Sequence, residues 1–347
     1  MHPLDALAGI DAATLGTALP PAHARAVWAV AIEGARSVPL DLPLAGPPPA
    51  SVTLVASANV FTAPIEWAWA LSARGVRVVL KSARGLSAVG DALAATLPGV
   101  EAHYWPGGDL DAEAAALAGS EVAMVFGAAE TIVEIRARSP VPVLGFGPRF
   151  GVILLDAAGL ADSEALVRDH ALYDGHGCMS PAAVFSPDPL PLESLERALR
   201  EADVRWPAGA FTPAEASARR SLAMLARIEG RLLEVGSWLV VALPGRHVRP
   251  RGLPRVMVVH EGVDPGAALA PWREELGTVA IPGAEESDTG VHEALAKQLG
   301  LDQLPPARVC AVGEMQRPPG ARRLHDGVAV LPALWNAAAA FRAARQS

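Results

Sequence analysis

Val52-Thr53-Leu54-Val55 opens the stretch that decides the fold, and four more short apolar runs follow it. They are Val76-Arg77-Val78-Val79-Leu80, Val100–Trp105, Val122-Ala123-Met124-Val125-Phe126 and Val141-Pro142-Val143-Leu144. Alanine-rich segments compatible with helix lie between them: Pro64–Ala73, Leu86–Leu97, Asp111–Ala118 and Glu130–Ala137. Apolar strands alternating with helices of this length predict parallel βαβ units, because a crossover helix must carry the chain back before the next parallel strand. Strands covered on both faces read as continuous apolar runs, as these do. Residues 51–147 are therefore expected to form an open, doubly wound parallel sheet, which binds ligands at the carboxyl ends of its strands.

Upstream, Ala22–Val38 has helical spacing and ends before the proline-rich segment Pro43–Pro49. Downstream the alternation changes. Val152–Leu155, Trp238–Leu243, Val256–His260, Val279–Ile281 and Arg308–Val312 read as strands. Ser163–Tyr173, Leu192–Ala202, Pro213–Arg231, Val291–Leu299 and Pro332–Arg345 read as helices or helix-like segments. The expected organisation is a first α/β domain with a helical lead-in over residues 1–147, a second α/β domain over 148–321, and a C-terminal return segment and helix over 322–347.

Composition sets the outer bounds. The chain has 347 residues, 51% hydrophobic and 19% charged, enough apolar material for a real core. Lys and Arg number 29 against 37 Asp and Glu, a net charge of -8. That balance argues against nucleic acid as a partner. No secretory leader is read at Met1-His2-Pro3-Leu4-Asp5, and the longest uncharged stretch is broken by prolines, so no membrane span and a cytoplasmic location are expected. Two cysteines, Cys178 and Cys310, exclude a disulfide scaffold. No CxxC, HExxH or EF-hand pattern occurs, so no metal is implied, and neither GxSxG nor a P-loop is present.

The most informative segment for chemistry is Tyr173-Asp174-Gly175-His176-Gly177-Cys178-Met179-Ser180-Pro181. Gly175 and Gly177, just ahead of the cysteine, let the backbone approach closely and let a thiol face a cleft. A cysteine nucleophile needs thiolate character, access and N–H donors for an oxyanion. The competing reading is a small buried hydrophobe, which Cys310 within Val309-Cys310-Ala311-Val312 fits better. His176 would share a face with Cys178 in an extended segment, or else is a loop histidine bonding backbone.

Other candidates sit at strand ends. Gly127-Ala128-Ala129-Glu130-Thr131 follows a strand and opens a helix, where backbone N–H groups meet phosphate. Lys81-Ser82-Ala83-Arg84 ends the second strand, either as a nucleotide contact or as a solvated end. Gly145-Phe146-Gly147-Pro148-Arg149-Phe150-Gly151 has the wrong spacing for a dinucleotide fingerprint and precedes a strand. Arg246, His247, Arg249, Arg251 and Arg255 crowd one loop; they could hold carrier phosphates, or be solvated, or lie at a subunit contact.

Taken in order, these pieces resemble the aldehyde dehydrogenase superfamily, and within it the long-chain fatty acyl-CoA reductases of bacterial bioluminescence. The resemblance rests on Ser57-Ala58-Asn59-Val60 with Pro64, on Val78–Ser82, on Val125–Ala128 with Glu130-Thr131, and on Gly145–Arg149 with Gly151–Leu154. It continues through Gly177-Cys178-Met179-Ser180-Pro181, Gly313-Glu314-Met315-Gln316-Arg317-Pro318-Pro319, His325-Asp326-Gly327 and Leu331. It implies an aldehyde dehydrogenase-like α/β fold, with a doubly wound cofactor domain and a second α/β catalytic domain. It implies Cys178 as nucleophile, and an oxyanion hole from the Asn59 side chain and the Cys178 N–H. Lys81, Ser82 and Arg84 would then bind the adenosine ribose side of the cofactor, and Gly127 and Ala128 its pyrophosphate. The two cations at the strand end, with no acidic residue nearby in sequence, favour a 2′-phosphate and hence NADPH. Where hydrolytic members place a water-activating glutamate, this chain has Gly145 after Leu144. The implied activity is NADPH-dependent reduction of an acyl-CoA, with a fatty chain expected, to the aldehyde through a cysteine thioester. The alternatives are reduction of an acyl phosphate or acyl-protein thioester, and a catalytically silent binding or assembly subunit on the same fold. The acyl-CoA substrate, a homo-oligomer and an acyl-transfer partner protein complete the expected partners.

Overall fold

In the computed structural model, residues 2–156, 162–284, 308–317, 324–325 and 328–346 are described. The chain divides into two compact units. The first comprises Met1–Thr17, Ala24–Pro148 and Pro319–Ser347, and the second Ala18–His23 and Arg149–Pro318.

The first unit is built on strands β1 (Ser51–Val55), β2 (Arg77–Lys81), β3 (Val100–His103), β4 (Val122–Phe126) and β5 (Val143–Phe146). Their order is β3-β2-β1-β4-β5, and all four pairings are parallel. The order reverses between β1 and β4, so their carboxyl ends flank the switch-point crevice of a doubly wound sheet. Helices α1 (Pro3–Ala8) and α2 (Pro21–Arg36) precede β1, and α3 (Ala63–Ser72), α4 (Ser87–Thr96), α5 (Leu110–Ala118) and α6 (Ala129–Arg138) make the crossovers. All five residues of β1 are buried, as a central strand between two helical layers demands. Burial of Leu54 alone is worth roughly 1.5–3 kcal/mol. The edge strand β3 alternates instead, and its Glu101 takes two hydrogen bonds of 2.7 Å from Arg77. Charge on an edge discourages pairing with another chain. The C-terminal helix Val330–Gln346 belongs to this unit, with Arg342 bonding Glu121 at 2.8 Å.

The second unit holds a sheet of seven strands ordered β12-β11-β6-β7-β10-β9-β8. They are β6 (Phe150–Leu154), β7 (Pro181–Ser186), β8 (Arg231–Val235), β9 (Trp238–Pro244), β10 (Val256–Glu261), β11 (Leu276–Ile281) and β12 (Arg308–Ala311). Only the β8–β9 pair is antiparallel. Helices α7 (Ser163–Ala171), α8 (Glu196–Arg205) and α9 (Pro213–Glu229) accompany it. The Asp162 side chain caps α7 through the Ala165 N–H, and Thr212 with Glu215 forms a reciprocal capping box on α9.

Several expectations are corrected. The segment Pro213–Arg231 is not one helix to its end: α9 stops at Glu229, Gly230 caps it, and Arg231 begins β8. Strand β7, immediately after the cysteine segment, was not anticipated, because Pro181-Ala182-Ala183-Val184 is too small and too proline-led to read as a strand. Its burial between β6 and β10 supplies what propensity lacks. Leu192–Ala202 starts as a 3₁₀ turn before α8, and β3 ends at His103, short of Trp105. The reading of Val291–Leu299 lies outside the described residues. Among the described residues no helix is long and apolar enough to cross a membrane, and no group of three His, Cys, Asp or Glu side chains could hold a metal ion.

Candidate active site

Cys178 lies in the connection between α7 and β7 and is half-buried, whereas Cys310 in β12 is fully buried. The connection is fixed at both ends. On the upstream side Asp174 is buried and adopts φ 52°. Its carboxylate meets Arg255 Nε at 2.7 Å. Gly175 follows at φ 75°, and a Cβ there would lie 2.7 Å from the Leu253 carbonyl oxygen. Only glycine fits both the left-handed backbone and that approach. On the downstream side the Ser180 N–H bonds the Gly177 carbonyl at 2.9 Å, closing a turn around Cys178. The Ser180 carbonyl accepts from the Gly151 N–H of β6 at 3.2 Å. The Ser180 hydroxyl accepts from Gln316 Nε2 at 2.9 Å.

His176 is exposed, with its backbone N–H on the Tyr173 carbonyl and its Nε2 3.7 Å from Glu215. The segment is a turn rather than extended chain, so the two-residue spacing does not put His176 and Cys178 on one strand face. The loop of arginines is also resolved. Arg246 pairs with Glu229. Arg249 pairs with Glu275 at 3.0 Å and stacks over Trp272 at 4.4 Å. Arg255 is buried, pairs with Asp174 and Asp203, donates to the Trp206 carbonyl and lies 4.7 Å from the Trp238 ring. Three of the loop's four arginines thus serve this chain's own structure, which weakens the carrier-phosphate reading.

In the first unit the remaining candidates lie at carboxyl ends of strands. Asn59 is exposed in the loop between β1 and α3. Lys81 ends β2, half-buried, with its Nζ 5.9 Å from the centre of the Trp105 ring. Burial lowers the Lys81 ammonium below its ordinary value, opposed by the charge of Glu113. The sequence showed no acidic residue near Lys81; folding brings Glu113 of α5 into range. That carboxylate is held by Arg138 at 2.5 and 3.0 Å. Ser82 is buried with its Oγ against Gly90 of α4, while Arg84 is exposed. Gly90 has no side chain because one would strike that oxygen.

Gly127 and Ala128 form the turn from β4 into α6. Ala128 is the N-cap residue, and no side chain caps the helix. A Cβ at Gly127 would meet only Thr131, at 3.9 Å, so the turn is open. An uncapped ten-residue helix starting at the end of a parallel strand presents its first N–H groups and its positive dipole end to an anion. With the half-buried Lys81 on β2, these residues fit a dinucleotide. At Gly145 a side chain would run into Ile132 of α6.

Two polar residues important to the cysteine turn were missed in the sequence. Asp169 sits among apolar positions of α7, and Gln316 lies far downstream in a run noticed only for its resemblance. A carboxylate between Val167 and Ala171, on a helix that otherwise buries that face, was the available signal.

The two α/β units, one with a switch-point crevice and one carrying a cysteine turn before a central strand, have the fold of solved aldehyde dehydrogenases. The sequence matches the acyl-CoA reductase (LuxC) family over residues 47–337, and the chain belongs to that family. It is an aldehyde-forming oxidoreductase of the acyl-CoA reductase type. No curated protein matches the chain. Among solved structures, it is similar to an acetylating aldehyde dehydrogenase from Geobacillus thermoglucosidasius, at 13% identity and TM-score 0.62, over 94% of this chain and 84% of the other. Aldehyde dehydrogenase 21 from Physcomitrella patens, in complex with succinate, is similar at 14% identity and TM-score 0.63, over 93% and 78%. The NADP-dependent glyceraldehyde-3-phosphate dehydrogenase from Bacillus halodurans C-125, complexed with NADP, gives 16% identity and TM-score 0.57, over 89% and 78%.

Proposed function

We propose that this chain reduces an acyl-CoA, with a fatty acyl chain, to the aldehyde, using NADPH and a thioester on Cys178. The observation that carries the reading is the state of the two thiols in a chain of this family. Cys178 is partly accessible on a turn held at both ends, and Cys310 is sealed in β12.

The Cys178 thiolate attacks the thioester carbonyl, the carbon–sulfur bond to CoA breaks, and CoA leaves as a thiolate that takes a proton from water. A thiol of pKa ~8.5 needs little acid assistance to leave. When bound, the nicotinamide supplies a hydride to the acyl carbon. The Asn59 amide and the Cys178 N–H donate hydrogen bonds to the oxygen as it gains charge. Collapse breaks the bond to Cys178, frees the aldehyde and returns the thiolate. Lys81 and Arg84 supply positive charge for a 2′-phosphate, Ser82 shapes the strand end against Gly90, and Gly127 and Ala128 receive the pyrophosphate. The Gly145 position, where a glutamate would serve hydrolysis, is closed to a side chain by Ile132.

The domain reading that accompanies this proposal assigns residues 1–147 to the cofactor, 148–321 to the cysteine chemistry and 322–347 to the return segment. The test mixes enzyme and acyl-CoA without reduced cofactor. One equivalent of CoA is released and the peptide bearing Cys178 gains the acyl mass; NADPH then discharges it as aldehyde. Turnover that persists in Cys178→Ala would overturn the mechanism. Acylation by an acyl phosphate or an acyl-protein, with none by acyl-CoA, would redirect the substrate.

A further inference from the structure

Three segments far apart in the chain meet behind the Cys178 turn. Helix α7 contributes Asp169, the turn after β12 contributes Gly313–Gln316, and the cysteine segment contributes Ser180. Asp169 is fully buried. Its Oδ2 accepts from the Gly313 N–H at 2.5 Å, and its Oδ1 from the Met315 N–H at 3.1 Å. These two bonds hold the Gly313–Met315 turn as a carboxylate caps a helix start. The turn in turn delivers Gln316, whose Nε2 bonds the Asp169 carbonyl at 3.2 Å and the Ser180 hydroxyl at 2.9 Å. One amide thus uses both hydrogens, one on α7 and one on the residue that closes the cysteine turn. Gln316 and Ser180 are both buried, so neither can exchange its partner for water without opening the structure. Met315 packs against the same place, its methyl group over Gly151, the residue that bonds the Ser180 carbonyl.

We propose that Asp169, Gln316 and Ser180 form a positioning relay that fixes the Cys178 thiol for acyl transfer, with Gln316 as the link between the C-terminal turn and the cysteine turn. The inference rests on Cys178 being the nucleophile. Its elements act through the turn and touch no substrate. The relay gives a chemical reason for a glutamine at 316. An apolar side chain there would leave the Ser180 hydroxyl and the Asp169 carbonyl buried and unpaired. A shorter asparagine would fall short of one of them. A geometric constraint of this kind matters because a displacement of about 1 Å at a reacting atom costs ~10²-fold in rate.

The test measures single-turnover acylation of the intact protein by acyl-CoA, together with alkylation of Cys178 by iodoacetamide, in Gln316→Ala, Ser180→Ala, the double variant and Ser180→Thr. Cys310, being buried, serves as the unreactive internal thiol. Gln316→Ala and Ser180→Ala are each expected to slow acylation about tenfold or more, with the KM for NADPH unchanged. The double variant should be no slower than the slower single variant, because both break one link. Ser180→Thr keeps the accepting hydroxyl and should restore most of the rate. Thermal melts identify any variant that fails to fold, and Ser180→Ala, the mildest change, carries the test in that case. Wild-type rates in both single variants, or a KM effect with no effect on acylation, would overturn the relay. If the wild-type protein is never acylated at Cys178, the proposed function fails instead. The alkylation rates then decide the relay by themselves, equal rates in all variants refuting it and slowed rates restored by Ser180→Thr supporting it.

Discussion

Arg255 places its Nε 2.7 Å from the Asp174 carboxylate, both side chains are buried, and both residues hold a positive φ, 54° and 52°. These two are the only non-glycine residues with positive φ among the described residues. Left-handed backbone costs a bulky residue of order 1 kcal/mol or more. The ion pair therefore draws two strained turns together, one leading into Cys178 and one leading into β10. Arg219 of α9 reinforces the second turn through the carbonyls of Pro254 at 2.6 Å and Arg255 at 2.9 Å, and also donates to the Ser237 carbonyl of the β8–β9 turn at 2.7 Å.

Removing one partner of a buried ion pair leaves the other charge unpaired, which costs about 3–5 kcal/mol. Asp174→Asn should fall in that range, reduced where Asn still accepts from Arg255. Arg255→Lys should recover little, because Arg255 also donates to the Trp206 carbonyl and stacks on Trp238, and an ammonium cannot do all three. Urea unfolding of the two variants checks this. An Arg255→Lys protein as stable as wild type would show that the guanidinium geometry is dispensable.

The alternation of strands and helices in the first unit was legible because parallel strands buried on both faces leave continuous apolar runs. All of β1 and three of the five residues of β2 are buried. Strand β7 was not, since its pairing partners β6 and β10 are distant in sequence and its residues carry little propensity of their own. Cys178 stood out because Gly175 and Gly177 directly precede it. Arg255 was hidden in a run of cations that reads as solvated, and only folding brings Asp174, Asp203 and Trp238 around it. Asp169 was hidden for the opposite reason. A carboxylate in a helix reads as the exposed face until the Gly313 turn, more than a hundred residues away, claims it.

Asp169 and His170 are neighbours with opposite pH responses. Burial pushes the Asp169 carboxyl up from 3.8 to about 7, against the two backbone N–H bonds and Arg168. Burial pushes His170 down from 6.5 to about 4, against its bond to the Leu166 carbonyl. Between pH 3.8 and 7 the unfolded chain has released the Asp169 proton while the folded chain keeps it, so this residue's contribution falls as pH rises. His170 does the reverse: its contribution is full above pH 6.5 and is lost as pH falls toward 4. Asp169→Asn should therefore gain stability relative to wild type as pH rises from 4 to 7, by of order 4 kcal/mol at most. His170→Gln should gain relative to wild type as pH falls from 6.5 to 4, by of order 3 kcal/mol at most. Urea midpoints at several pH values measure both slopes, and parallel pH curves for variant and wild type would refute them.

Lys81 and Arg84 carry the proposed preference for a 2′-phosphate. A hydrogen bond to a charged group is worth ~1.5–3 kcal/mol, or ten- to hundredfold in affinity. Lys81→Ala should raise the KM for NADPH by about that factor and leave the KM for NADH nearly unchanged. Arg84, which is exposed, should show a smaller effect that salt diminishes. Equal losses with both cofactors would assign Lys81 to the ribose rather than to the phosphate.

The role proposed for Asn59 lies in the chemical steps alone. Its amide is proposed to donate to an oxygen that is charged only in the tetrahedral species of acyl transfer and of hydride addition, so its loss should lower kcat and kcat/KM together. Removing one such donor typically costs ~10²–10³ in rate. Asn59→Ala is expected in that range, with the KM for NADPH near wild type, and Asn59→Asp should be at least as slow, because a carboxylate repels the developing charge. Asn59 is exposed on the loop after β1, so neither change should disturb the core, and unchanged urea midpoints would separate a catalytic loss from an unfolding one. Kinetics at saturating acyl-CoA decide the matter: a variant whose deficit disappears at high substrate would place Asn59 in binding and leave the oxyanion to the backbone N–H of Cys178.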